Sequence, residues 1–428
     1  MDSNQQDGFL GGFAHLCFFR AKHATMKKSL LGLLSLLCLL SCNGGLKPPT
    51  DSGTQSWDQT LLEAKGQTVT LMMWQGDPYI NKYMNEFVKP ALKTKFGVTL
   101  EIVGGQGNQL VSLLMSEMEA GKQESSIDMG WINGETFYQL RQIDALHGPF
   151  TDQLPNNQYI DWTNPFIGTD FQQSVGGYEC PWGNVQLALI YNSEKVASPP
   201  QTLAALEDWV KANPGKFTLG QDFTGMTLLK SMLADFAGGK EALAGEFDEE
   251  KYKVNSAKLW DYLNRIKPHF WNGGKSFPAD VAQMHQLFAS GELWFTMSNN
   301  DGDVDNKIMQ GLFPESSRAY VPAFGTIQNS HYLGIVKASE KKSAAMVVAN
   351  FMISPEAQLK KMDPAIWGDG TILSMEKLPQ AWRAKFEAIP GRKYSPKRND
   401  IQDKAMMEPA PEYMIRLFED FRKEVIEQ

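Results

Sequence analysis

Residues Gly177 to Ser193 read G-Y-E-C-P-W-G-N-V-Q-L-A-L-I-Y-N-S, and the rest of the chain divides across them. Cys180-Pro181-Trp182-Gly183 sets turn formers around a large aromatic, and Val185 to Tyr191 is an apolar run rich in strand formers. Together they predict a loop feeding a strand. Trp182 in such a turn is either a wall of a binding cleft or a core residue beneath the turn.

On the amino-terminal side the pattern alternates. Val69 to Trp74 reads as a strand, Gln75-Gly76-Asp77-Pro78 as a turn, and Tyr79 to Phe96 carries apolar residues at helical spacing, with Val98 to Val103 a second strand. Gly104 to Asn108 turns into a helix over Gln109 to Glu119, and the short strand Ile127 to Trp131 precedes a helix over Phe137 to Ile143. Strand, turn and helix in repetition predict βαβ units and a parallel sheet. Ligands bind such sheets beyond the carboxyl ends of the strands, which places Trp74, Asp77 and Asn133 at the mouth.

On the carboxyl-terminal side, helices are expected over Thr202 to Lys211 and Phe223 to Phe236, with a short strand from Phe217 to Gln221 between them. Asp222 then sits at a helix start. Lys240 to Glu250 is charged and loosely helical, Ala257 to Lys267 a further helix, and Phe270-Trp271-Asn272-Gly273-Gly274 an aromatic turn. A helix over Asp280 to Ser290 leads to the strand Leu293 to Ser298, which ends in Asn299-Asn300-Asp301-Gly302. Ala319 to Phe324 reads as a strand, Gly325 to His331 as a polar loop containing Asn329, and Tyr332 to Val336 as a return strand. Helices close the chain over Ser343 to Ile353, Ala381 to Ile389 and Met414 to Ile426, and there is no internal repeat.

Several motifs now form one picture. The Pro-aromatic-Gly turn is followed by Ala188-Leu189-Ile190-Tyr191-Asn192 and then by Pro199, Pro200, Thr202, Leu203, Leu206 and Trp209. Asp128 to Phe137 reads D-x-G-W-I-N-G-E-x-F, and Ser354 to Gln358 reads S-P-E-A-Q after a helix. The chain resembles the bacterial extracellular solute-binding proteins of ABC importers, in the family 1 cluster that takes polyamines, thiamine and iron, and within it a YnjB-like subgroup. The resemblance implies a two-lobed α/β periplasmic-binding-protein fold of type II, with crossover strands near 185–190 and 296–301 and a cleft between the lobes. Lobe 1 would be 66–184 with 302–352, and lobe 2 188–298 with 356–428. It also implies an ABC permease as partner and hinge closure as mechanism.

Residues 26 to 42 carry Lys27 and Lys28, an apolar run from Leu30 to Leu40, and Leu39-Leu40-Ser41-Cys42. The run is short of the about 20 residues that span a bilayer, so it reads as a cleaved signal. The last four residues look like a bacterial lipobox, which makes Cys42 the lipidated first residue of the mature chain; an ordinary secretory signal is the alternative. Met26 starts such a signal better than Met1. Residues 42–65 then form a tether rich in Gly, Pro, Ser and Thr, holding the body at the membrane, in the periplasm or at the cell surface.

Removing residues 1–41 takes away Arg20, Lys22, Lys27 and Lys28 against Asp2 and Asp7, so the net charge falls from -8 to -10. An acidic body argues against nucleic acid as a partner and leans towards a cationic or neutral ligand. Of four cysteines only Cys180 is left unassigned, which rules out a disulfide framework within the mature monomer. Neither a P-loop, a G-x-S-x-G nor an H-E-x-x-H motif occurs, and His147, His269, His285 and His331 fall in separate segments. No cofactor or metal is expected.

Asp77, Glu135, Asp222, Asp301 and Asp369 follow strands or occupy turns near the expected cleft. A pair of them as acid and base would make a secreted hydrolase. Trp131, Trp182, Trp271 and Trp367 each abut Gly, Asn or Pro, and Trp74 stands two residues before Gly76; aromatic walls suit cations. The expected ligand set is therefore Trp74, Asp77, Asn133, Trp182, Asp222, Trp271, Asn299 and Asn329, around a small cationic or zwitterionic solute. A sugar, a metal ion or an anion is the alternative ligand, and a sensor-linked binding module the alternative role.

Overall fold

The computed structural model describes residues 56–428. The expected signal segment, Cys42 and the tether as far as residue 55 lie outside the described residues. The tether ends sooner than expected, because Trp57–Ala64 is a helix capped by the Ser56 hydroxyl, and it buries Thr60 and Ala64.

Three strands open the first body. β1 (Thr68–Met73) buries alternate residues Val69, Leu71 and Met73, as the period of two demands. It pairs in parallel with β2 (Thr99–Gly104) and with β3 (Met129–Ile132). The helical pattern between β1 and β2 is realised as Pro78–Lys82, a π-helical stretch Tyr83–Val88 and Lys89–Phe96. Gly107–Glu119 and Gly134–Gln142 follow β2 and β3, so the turns after all three strands share one edge of the sheet. A short hairpin comes next, β4 (Thr169–Asp170) paired with β5 (Gln173–Ser174).

The deciding stretch departs from expectation. It is two strands, β6 (Glu179–Gln186) and β7 (Ala188–Asn192), joined at Leu187, and Pro181-Trp182-Gly183 lies inside β6. The later strands β8 (Phe295–Ser298) and β9 (Ser317–Tyr320) both pair with β7. β10 (Thr326–Ile335) runs unbroken through the segment expected as a polar loop, and it pairs with β6, with β3 and with the short β11 (Ala405–Met406). The reason is a bulge. Gly183 faces His331 and Pro181 faces Tyr332, so Trp182 is the extra residue. A bulge tolerates the missing proline N–H and turns the next side chain out of register.

The result is a six-stranded sheet in the order β11-β10-β3-β1-β2, with β6 on β10, and a three-stranded sheet β8-β7-β9. Each has its own apolar core. One gathers Val69, Leu71, Tyr83, Trp182 and Phe351; the other gathers Leu189, Leu229, Leu263, Phe295 and Tyr413. Burying each such side chain contributes roughly 1.5–3 kcal/mol. Two stretches sit with the other body than expected: β9 pairs with β7, whereas Ala357, Trp367, Leu373 and Phe386 join the first core. The strand expected near Phe217 takes no place in a ladder; it touches its neighbours through Trp294 N–H to Lys216 O at 3.0 Å and Trp271 N–H to Phe217 O at 2.8 Å.

Candidate functional site

The chain passes between the bodies at Leu187, at Asn299 to Gly302, and where β9 leads to β10. Charge is buried at this junction in two groups.

The first is a clamp. Asp301 is fully buried, accepts the Gln186 N–H at 3.0 Å, and is held by Arg392 and by Arg398, the latter at 2.8 Å. Arg398 also donates to the Asn184 carbonyl at 3.0 Å and its side-chain oxygen at 3.2 Å, so one guanidinium ties both crossovers. Burial opposes ionisation of Asp301, yet the two arginines hold its carboxyl below the usual range. Asp305 anchors the same carboxyl-terminal segment by accepting the Lys393 N–H at 2.6 Å, the Tyr394 N–H at 3.0 Å and the Ser395 hydroxyl at 2.5 Å.

Beside the clamp, Asp369 is paired with Lys361 and lies 3.1 Å from His331 Nε2, without the alignment of a hydrogen bond. His331 sits among Trp131, Trp182 and Trp367 at ring separations of 5.1, 5.2 and 5.9 Å. Gly183 permits this, since a Cβ there would stand 2.0 Å from His331 Nε2 and 2.4 Å from Asp369.

The second group is unbalanced. Lys230 and Glu408 form an ion pair at 2.5 Å with both side chains inside the protein, and Asn329 donates to the other Glu408 oxygen at 2.8 Å. Glu135, Asp170 and Glu179 lie within electrostatic reach of that pair or of one another. Glu135 Oε2, Asp170 Oδ2 and both Glu179 oxygens are buried with no hydrogen-bond partner. Burial pushes the Glu135 carboxyl up to about 7, and burial with neighbouring like charge pushes Asp170 and Glu179 well above the ordinary range.

The expected ligand residues fall into three sets. Trp74 follows β1 half-buried, with its indole folded over Gly76; Asn133 follows β3 and accepts the Thr136 hydroxyl at 3.2 Å; Asn299 follows β8, donates to Thr224 at 3.1 Å, and leaves Oδ1 buried without a partner. Asn329 reaches the same junction through Glu408. Asp77 and Asp222 are occupied. Asp77 caps the helix Pro78–Lys82 and is bound by Lys307, which together hold its carboxyl below the usual range against the effect of burial. Asp222 accepts the Gly225 N–H at 3.1 Å and the Val281 N–H at 2.9 Å.

Trp182 and Trp271 need correcting. Trp182 is 0% exposed, turned into the first core by the bulge, so it is the core residue and not a cleft wall. Trp271 donates its indole N–H to Glu292 at 3.1 Å, before β8 begins, whereas the cleft end of β8 is Ser298. Of the five carboxylates singled out, Glu135 alone keeps a buried oxygen without a partner. Sequence reasoning missed Asp170, Glu179, Lys230, Glu408, Arg392 and Arg398; none lies in a turn after a strand that the sequence predicts.

Comparison with known proteins fits this geometry. The bacterial extracellular solute-binding protein family matches residues 82–387. Protein YnjB of Escherichia coli strain K12 is 36% identical over 363 residues, spanning 84% of this chain and 90% of YnjB. Among solved structures, AfuA of Actinobacillus pleuropneumoniae, with fructose-6-phosphate bound, aligns at a TM-score of 0.60 and 13% identity over 84% of this chain and 98% of its own. The spermidine/putrescine substrate-binding protein PotD of Streptococcus pneumoniae aligns at 0.56 and 14% over 83% and 99%, and iron-bound HitA of Pseudomonas aeruginosa at 0.52 and 16% over 82% and 98%. At such identities the likeness shows the fold, the two-lobed α/β periplasmic-binding-protein architecture of type II. With a family match over most of its length and a relative that it covers almost end to end, the chain belongs to the bacterial extracellular solute-binding protein family.

Proposed function

We propose that this protein is the solute-capturing lipoprotein of an ABC importer, and that it takes a small cationic or zwitterionic organic solute at the lobe junction without turning it over. One observation carries the reading. Glu135 Oε2 and Asn299 Oδ1 are buried acceptors without partners, and each faces a residue of the helix Phe223–Ala237. Glu135 is within reach of Lys230 in that helix, and Asn299 donates to Thr224 in its first turn. Unsatisfied buried acceptors are costly, and N–H groups of an amine would satisfy them. Trp74, half-buried just past the carboxyl end of β1, would offer a ring face to such a cation.

Of the five carboxylates expected to supply an acid and a base, four are already bound, so the hydrolase reading loses the pair that motivated it. Closure of one lobe on the other, stabilised by the solute, would be the signal to a permease. PotD and HitA are named for solutes as unlike as polyamines and iron, so the site and not the fold has to choose. Native mass spectrometry of protein purified without refolding tests the class. An adduct with the mass of an organic amine is expected, and a sugar phosphate or a bare metal ion contradicts it. For the anchor, palmitate labelling should be lost in Cys42→Ser, and retained label contradicts acylation there.

A further inference from the structure

The hairpin β4–β5 belongs to the chain of the first body, but its tip is embedded in the second. Phe171 is 1% exposed and lies in the core with Leu189, Leu229 and Tyr413. Lys230 Nζ stands 4.4 Å from its ring centroid. Gly134 closes the other side, since a Cβ there would come within 1.8 Å of the ring. Gln172 donates to the Glu408 carbonyl at 2.6 Å and accepts the Gly245 N–H at 3.1 Å, both in the carboxyl-terminal half of the molecule or the second body. The tip holds φ of 45° at Phe171 and 62° at Gln172. Two-residue hairpins of this kind favour Asn and Gly, and a bulky residue with positive φ is strained. Docking is what holds the strained tip in place.

At the base of the hairpin the carboxyls gather. Asp170 is 3% exposed and Glu179, on β6, is 0% exposed, each with oxygens that have no partner. The groups facing them are Glu135 and Arg141 from the helix Gly134–Gln142, Lys230 from Phe223–Ala237, Glu408 from the loop after β11, and Tyr332 from β10. Lys230 is already paired with Glu408, and the Tyr332 hydroxyl donates to the Ile167 carbonyl at 2.9 Å. A cavity of about 270 Å³, lined by Thr169, Gln172, Lys230 and Met406, lies alongside and gives the tip somewhere to move.

We propose that this hairpin is a proton-operated latch between the lobes, docked while Asp170 and Glu179 hold protons and released as they ionise. Release would return the Asp170 carboxyl to water and separate it from Glu179, which lowers the proton affinity of both. Since their affinity for protons is raised in the docked form, docking is favoured at acidic pH and lost as pH rises through the raised values. Each such carboxyl shifts the docked-to-released ratio about tenfold per pH unit in that window. The latch acts in the solute-free protein, so it stands or falls separately from the choice of solute.

Hydrogen exchange of residues 171–175 in the solute-free full chain tests it, from about pH 5 to about pH 8.5 and corrected for intrinsic exchange. Protection should fall by about tenfold or more across the range, with a larger radius in small-angle scattering at the alkaline end. Asp170→Asn with Glu179→Gln should stay protected throughout, and Phe171→Ala should be unprotected throughout. Wild-type protection that does not change with pH would overturn the latch, whatever the variants do. So would a pH dependence that survives in the Asn and Gln variant.

Discussion

Two buried groups of charge meet at the lobe junction, and they are built on opposite rules. Around Asp301, two arginines and a backbone N–H satisfy one carboxylate from both crossovers, leaving nothing for a visitor to supply. Around Glu135, Asp170 and Glu179, buried carboxyl oxygens lack hydrogen-bond partners, and the lysine beside Glu135 and Asp170 is already held by Glu408. The first group is the way a fold fixes a hinge. The second is complete only when a proton or an amine arrives, which is how binding and closure become coupled to what is in solution.

The sharpest way to break this contrast is to unbalance the clamp. Asp301→Ala leaves two arginines facing each other, one of them tied to Asn184, and should cost about 3–5 kcal/mol in urea denaturation. Trp182→Ala empties a core position and should cost a similar about 3–5 kcal/mol. A weaker binding constant in Trp182→Ala without loss of stability would restore Trp182 as a cleft wall.

Next comes pH. Glu135 is pushed up to about 7 by burial, and a bound cation favours its ionised form. Affinity for an amine should therefore fall by up to about tenfold per unit as pH drops below about 7, and Glu135→Gln should flatten that profile. Calorimetry in buffers of different ionisation enthalpy should register protons released on binding. Smaller still, Trp74→Ala should weaken a cationic ligand by about tenfold. Trp271→Ala should change affinity less than about twofold, because its indole is bound to Glu292 away from the cleft end of β8.

The parallel β1-β2-β3 unit was legible because each strand and helix carries its own period and the turns between them are marked by glycine. Trp74, Asn133 and Asn299 do stand just past the carboxyl ends of β1, β3 and β8, where the rule that ligands meet strands at those ends had directed attention. Residues 177–193 misled through Pro181 and Gly183. Local propensity reads them as a turn, whereas pairing with β10 makes them a bulged strand, and the ten residues of β10 are themselves too polar to announce it. The carboxyl group escaped notice for a plainer reason. Glu135, Asp170, Glu179 and Glu408 are brought together from four separate elements, and a lone Glu or Asp in or beside a short hairpin looks like solvent-facing polarity until its burial is seen.

The central claim is that the second group awaits a positively charged organic solute. Isothermal titration calorimetry at about pH 8, across a panel of organic amines, sugars and phosphate or sulfate esters, puts it most directly to the test. The account predicts tight binding by at least one amine, weakened about tenfold or more in Glu135→Gln, with sugars and esters inert. Tight binding of a phosphate or sulfate ester, with every amine inert, would contradict it.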